Sequence, residues 1–261
     1  MTKSEKLRAA AGVFVLVAVF AAIFAAFYIN RDIVYRFLRG GASENENGGR
    51  AALGPSRTPS EYFSDIVFIG DSIVAGLEVC KDYAQIGGEK ILKDATIIAA
   101  PSYSLSAATT EPGANAVNLI YEGKAMRPED IIADINEKYV FICLGLNDLS
   151  WSPLDAYIEN YRKLIENIRA KSPDVKIAIL SVTPLVASQR ESGLTNAVIA
   201  KANDRLAELA GESSVFFVDW ARALQDESGA LPAGLSSDGY CHLKAEAYVR
   251  LVEYLINNPA G

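Results

Sequence analysis

Four residue types that could do chemistry together stand at three widely spaced points of the chain. Gly70-Asp71-Ser72-Ile73 places a serine directly after an apolar run and at the start of an amphipathic one. A hydroxyl there has the free N–H groups and partial positive charge of a helix N-terminus beside it, which favour a developing oxyanion. Gly145-Leu146-Asn147-Asp148 offers a neutral amide donor, again directly after an apolar run. Ser236-Ser237-Asp238-Gly239-Tyr240-Cys241-His242-Leu243 holds the only histidine of the chain, with a carboxylate four residues before it. A serine hydroxyl is a poor nucleophile until a base removes its proton, and that base is usually oriented by a carboxylate. Taken singly, each segment also reads as a turn or helix cap. Taken together they supply a nucleophile, an oxyanion donor and a base with its partner.

The elements that must position these residues follow from the apolar pattern. Asp65–Gly70, Ala95–Ala100, Tyr139–Gly145, Lys176–Thr183 and Ser214–Trp220 are near-continuous Val, Ile and Phe runs, as expected of parallel strands buried on both faces. Helical patterns lie between them, most clearly Leu154–Ala170, Leu194–Ala210 and Lys244–Asn257. The expectation is a three-layer α/β/α domain over 61–261, in which ligands bind beyond the carboxyl ends of the strands. All three chemical segments fall at that rim or just before the last helix.

Ahead of this domain, Ala9 to Ile29 is 21 residues without a charge, and at about 1.5 Å per residue it spans a bilayer core of roughly 30 Å. The sequence therefore predicts a stub (1–8), a single transmembrane anchor (9–30), and a juxtamembrane segment and flexible linker (31–60). Lys3, Lys6 and Arg8 balance Arg31, Arg36 and Arg39, so flanking charge does not fix the orientation. The layout of a signal anchor predicts a domain facing outside the cytoplasm.

The net charge of −7 is uneven: residues 1–57 carry eight Lys/Arg and four Asp/Glu, leaving seventeen against twenty-eight, or −11, in the remainder. No basic run in that remainder suits a phosphate backbone, so nucleic acid is not an expected partner. Three scattered cysteines make no disulfide framework, and one histidine rules out a zinc site built mainly from imidazoles. Trp151 and Trp220, each close after a strand, are candidates to line an acyl or sugar pocket or to be partly buried. Asp219 is a rival carboxylate that also reads as a cap or turn residue.

The segments VFIGDSIVAG, LGLNDL and DGYCHL resemble the first, third and last blocks of the SGNH, or GDSL-type, hydrolases, over about Asp65 to Leu255. The resemblance implies a flavodoxin-like five-stranded parallel sheet and an acyl-ester substrate, with no metal or organic cofactor. It implies Ser72 as nucleophile, His242 with Asp238 completing the triad, and Asn147 and the Ser72 backbone N–H as oxyanion donors with Gly145 beside them. Two departures stand out. Asp238 and His242 are separated by three residues where the family has two, an extra residue that Gly239 can absorb. The second block, Ala99-Ala100-Pro101-Ser102-Tyr103-Ser104, lacks the family's glycine, leaving a backbone N–H of Ser102 or Ser104 to replace it. The expected activity is that of an esterase acting on O-acetyl or short acyl groups of surface glycans. The alternatives are an O-acyltransferase using the same triad and a non-catalytic binding domain of the same fold.

Overall fold

In the computed structural model the described residues are 58–81, 84–86, 89–113, 116–187 and 193–260. The anticipated anchor, 9–30, lies outside them, with the stub and most of the linker. Among the described residues no helix is long and apolar enough to cross a membrane. The first described element begins before Glu61. Thr58 caps a short helix, Pro59–Phe63, through a reciprocal capping box with Glu61, and Pro59 occupies the first turn, where its missing N–H costs nothing. Thr58 to Ser60 therefore belong to the domain and not to the linker.

Five strands form the central sheet: β1 (Ile66–Gly70), β2 (Thr96–Ala99), β3 (Tyr139–Cys143), β4 (Lys176–Leu180) and β5 (Phe216–Val218). All pairings are parallel and the order is β2-β1-β3-β4-β5, the flavodoxin-like arrangement. The helices are α1 (Ser72–Cys80), α2 (Leu105–Ala108), α3 (Pro128–Ile135), α4 (Leu154–Lys171), α5 (Asn196–Glu212) and α6 (Ala245–Asn257). Two small antiparallel hairpins, 85–90 and 119–126, are additions to this plan.

The unbroken apolar runs are explained by burial of both sheet faces. Val67, Ile69, Val140, Ile142, Ile177 and Ile179 enter one core with Tyr157, Tyr161 and Leu164 of α4 and Leu206 of α5. The alternate side chains form the other layer, where Phe63 stacks on Phe68 and Phe68 meets Phe141 edge to face, with centroids 5.5 Å apart.

The strands are shorter than their apolar runs, and the reason is plain at two of them. β3 stops at Cys143 because Leu144 leaves the ladder: its N–H donates to the Tyr161 hydroxyl, and its carbonyl accepts from Tyr157 (2.7 Å) and Tyr161 (3.0 Å). β5 shrinks to three residues because Ser214 adopts a positive φ (51°) and Trp220 opens a 3-10 turn. Trp220 is fully buried and donates its indole N–H to the Ser181 carbonyl at 2.7 Å, so it is a core residue and lines no pocket.

Candidate active site

Strand register brings three of the segments to one level. Gly70 pairs with Ala99 on one side and Cys143 on the other, so β1, β2 and β3 end together at the point where the strand order reverses. Asp71 is the N-cap of α1 and its carboxylate accepts from Ile73 N–H at 2.9 Å. Ser72 is thus the first helical residue, with its N–H at the unsatisfied helix start. The capping alternative belongs to Asp71 and leaves Ser72 its hydroxyl.

The histidine loop reaches the same rim through the segment after β4. Val186 N–H donates to the Tyr240 carbonyl and Leu231 N–H to the Leu185 carbonyl. The loop closes on itself: Ser237 N–H donates to the His242 carbonyl, and Ser236 bridges to Leu243. Gly239 at φ 71° takes up the extra residue between Asp238 and His242, a conformation that costs glycine little.

A continuous hydrogen-bonded chain results. His242 Nε2 lies 3.1 Å from Ser72 Oγ, and His242 Nδ1 lies 2.6 Å from Asp238 Oδ2. With Nδ1–H donated to the carboxylate, Nε2 is left to accept the serine proton. The other Asp238 oxygen accepts from Ser236 Oγ (3.0 Å) and from the N–H groups of Tyr240 (2.8 Å), Cys241 (3.1 Å) and His242 (3.2 Å). Partial burial raises the Asp238 pKa, but these hydrogen bonds, led by that of His242, outweigh it and hold the carboxyl below its ordinary value. Asp219 is elsewhere, within 3.7 Å of Arg222.

Asn147 points its amide between two acceptors, the Tyr103 carbonyl (3.1 Å) and Asp71 Oδ2 (3.3 Å). Gly145 sets the turn beneath it, its carbonyl accepting from Asp148 and Leu149 N–H. A side chain at Gly145 would meet the Tyr157 hydroxyl at 2.6 Å. Asp148 caps α2, accepting from Leu105 N–H (2.9 Å) and Ser106 N–H (3.2 Å).

The segment after β2 is a turn in which Tyr103 N–H donates to the Ala100 carbonyl, with Pro101 second and Ser102 third at φ 62°. Proline followed by a positive-φ residue is the pattern of a type II turn, which favours glycine in the third place. Ser104 is committed as the N-cap of α2, its hydroxyl accepting from Ala107 N–H at 3.1 Å. Ser102 therefore holds the position where a glycine is easiest. We expect Ser102→Gly to leave stability within about 1 kcal/mol of wild type or above it, and Ser102→Val to lower it by about 1–2 kcal/mol. Chemical denaturation of the three proteins checks this.

Asp71 and Asp148 are buried carboxylates that motif reading did not single out for the site. Burial, opposed by the Ile73 N–H and by His242, pushes the Asp71 pKa up to about 7. A folded pKa above the unfolded value means that the native state holds its proton longer. Stability is then lost as pH rises from about 4 to about 7, by up to roughly 1.4 kcal/mol per pH unit, and is flat above. Unfolding free energies of wild type minus those of Asp71→Asn, measured across that range, should fall with this sign. A difference independent of pH would show that Asp71 is ionised throughout.

Asp238, Cys241 and His242 also place one potential metal-ligand atom each within 4.8 Å of the others. Their donors are already used: Asp238 and His242 bind each other, and burial lifts the Cys241 thiol to about 12. Cys80 and Cys143 are likewise buried, and none of the three cysteines is paired.

Fold and site together define the SGNH class of α/β/α proteins. The GDSL-like Lipase/Acylhydrolase family model matches residues 68–250, and the chain belongs to that family. Acyl-ester hydrolysis is the chemistry the family carries. Its fold is similar to that of a candidate platelet activating factor from Streptococcus pneumoniae (20% identity, TM-score 0.53, 87% of this chain and 97% of the other). It is also similar to a GDSL-like lipase from Bacteroides thetaiotaomicron (17%, 0.54, 84% and 93%). A third similar structure is a catalytic mutant of an acetylxylan esterase from Geobacillus stearothermophilus (14%, 0.52, 75% and 94%). At these identities the likeness concerns the fold. No curated protein matches.

Proposed function

We propose that the protein is a serine esterase that removes short acyl groups, acetyl foremost, from hydroxyl groups of surface glycans. The observation that carries this reading is the unbroken chain from Ser72 Oγ through His242 to Asp238. His242 Nε2 takes the Ser72 proton as Oγ attacks the ester carbonyl carbon. The tetrahedral oxyanion is held by the N–H groups of Ser72 and Ser102 and by Asn147, which gives up its longer contact to Asp71. Collapse breaks the ester C–O bond, and His242 returns the proton to the departing alcohol. Water, deprotonated by His242, then attacks the acyl-enzyme, and the acid leaves as Ser72 regains its proton.

The glycan part of the reading is supported by the acidic domain, which repels anionic polymers and membranes, and by the anticipated N-terminal tether. Acetyl, butyryl and octanoyl esters of one alcohol should show kcat/KM falling with chain length, with free acid as the product. Transfer of the acyl group to an added saccharide, in place of release as acid, would make the protein an O-acyltransferase with the same site. Absence of turnover of every ester would favour the non-catalytic binding domain.

A further inference from the structure

We propose that Trp151 is a sugar-stacking platform at the mouth of the site, and that the alcohol side of the substrate is a neutral pyranose ring; this rests on the esterase reading above. Trp151 is 63% exposed, the most exposed large apolar side chain among the described residues. A single exposed apolar residue is ordinary on a protein surface. This one is fixed: its indole N–H donates to the Asn147 carbonyl at 2.6 Å, and its backbone N–H donates to the Asp148 carbonyl at 3.1 Å. The side chain is thus folded back over the residue whose amide reaches Asp71, the neighbour of Ser72. The ring's polar edge is satisfied by the protein while its apolar face stays in water, so binding a flat ligand costs little further ordering.

The occupant follows from the chemistry of that face. A pyranose ring presents a patch of C–H hydrogens that suits the electron-rich face of an indole, with hydroxyls around its edge to stay hydrated. An acyl chain needs enclosure, which an open ring does not give. The chain beside it is mixed: Ser150 and Pro153 are exposed, Ser152 and Leu154 are partly so, and the Asp155 side chain is 88% exposed with Arg205 at 3.1 Å. A lipid surface would call for a contiguous apolar patch with unpaired basic groups, whereas Arg205 is paired with Asp155. The charge of −11 over residues 58–261 disfavours anionic glycans.

The test compares wild type, Trp151→Ala and Trp151→Phe on two esters, O-acetylated cellotetraose and ethyl acetate. We expect Trp151→Ala to lower the ratio of kcat/KM for the sugar ester over ethyl acetate by about tenfold or more, through KM, with Trp151→Phe in between. An unchanged ratio overturns the platform, and so does an equal or larger loss on ethyl acetate. A second readout does not need turnover. The chain has only two tryptophans, and Trp220 is fully buried, so adding unacetylated cellotetraose to the Ser72→Ala protein should change its fluorescence through Trp151. A fluorescence change lost in Ser72→Ala/Trp151→Ala, from a protein that hydrolyses neither ester, would remove the esterase reading and keep the platform. Hydrolysis of both esters without any saccharide-dependent fluorescence change would do the reverse.

Discussion

Ser72→Ala is expected to lose ester hydrolysis by about 10⁴-fold or more in kcat, with thermal unfolding close to wild type. The hydroxyl is a part-buried group whose partner is His242 Nε2, and no core packing depends on it. His242→Ala should fall by a similar factor, and the double variant little further, because nucleophile and base act as one unit. Ester turnover and a melting curve on the same samples check this. A residual rate within tenfold of wild type in either single variant would mean that the hydrolysis seen belongs to another group.

Asp238→Asn should cost about 10⁴-fold in kcat while leaving the loop folded. The two oxygens of Asp238 have separate tasks. One gathers Ser236 Oγ and the N–H groups of Tyr240, Cys241 and His242, and an asparagine carbonyl can still accept these. The other accepts from His242 Nδ1. An amide NH₂ there meets the imidazole as a donor, turns the ring to the wrong tautomer and removes the acceptor on Ser72. Asp238→Ala loses both tasks and should lower stability as well. The pH dependence carries its own sign: the folded pKa of Asp238 is depressed, so its contribution to stability is present above the ordinary carboxylate range and is lost as pH falls through the folded value. In acid titrations wild type should therefore lose more stability than Asp238→Asn over that range, the excess being the Asp238 contribution.

Much of this was legible in the sequence because the signals are local. Strands buried on both faces announce themselves as unbroken apolar runs, and Ser72, Asn147 and His242 follow such runs or precede a helix within a few residues. What the sequence hid is long-range. Asp71 looks like a helix cap and is one, yet its second oxygen meets the Asn147 amide 76 positions away. Asp148 reads as a turn residue, but it caps a helix through Leu105. The end of β3 was unreadable for the same reason, since two tyrosines of α4 take Leu144 out of the ladder. The missing glycine of the second block is visible in sequence, whereas the positive φ of Ser102, which marks where a glycine fits most easily, is not. The anticipated 9–30 anchor lies outside the described residues, and protease accessibility on intact cells is its test.

The central claim is that Ser72 is an activated nucleophile, and intact-mass analysis after treatment with a small fluorophosphonate tests it most directly. One adduct per chain, absent from Ser72→Ala and formed far more slowly in His242→Ala, is the predicted result. A folded wild-type protein that takes up no adduct, or an adduct that persists in Ser72→Ala, would contradict it.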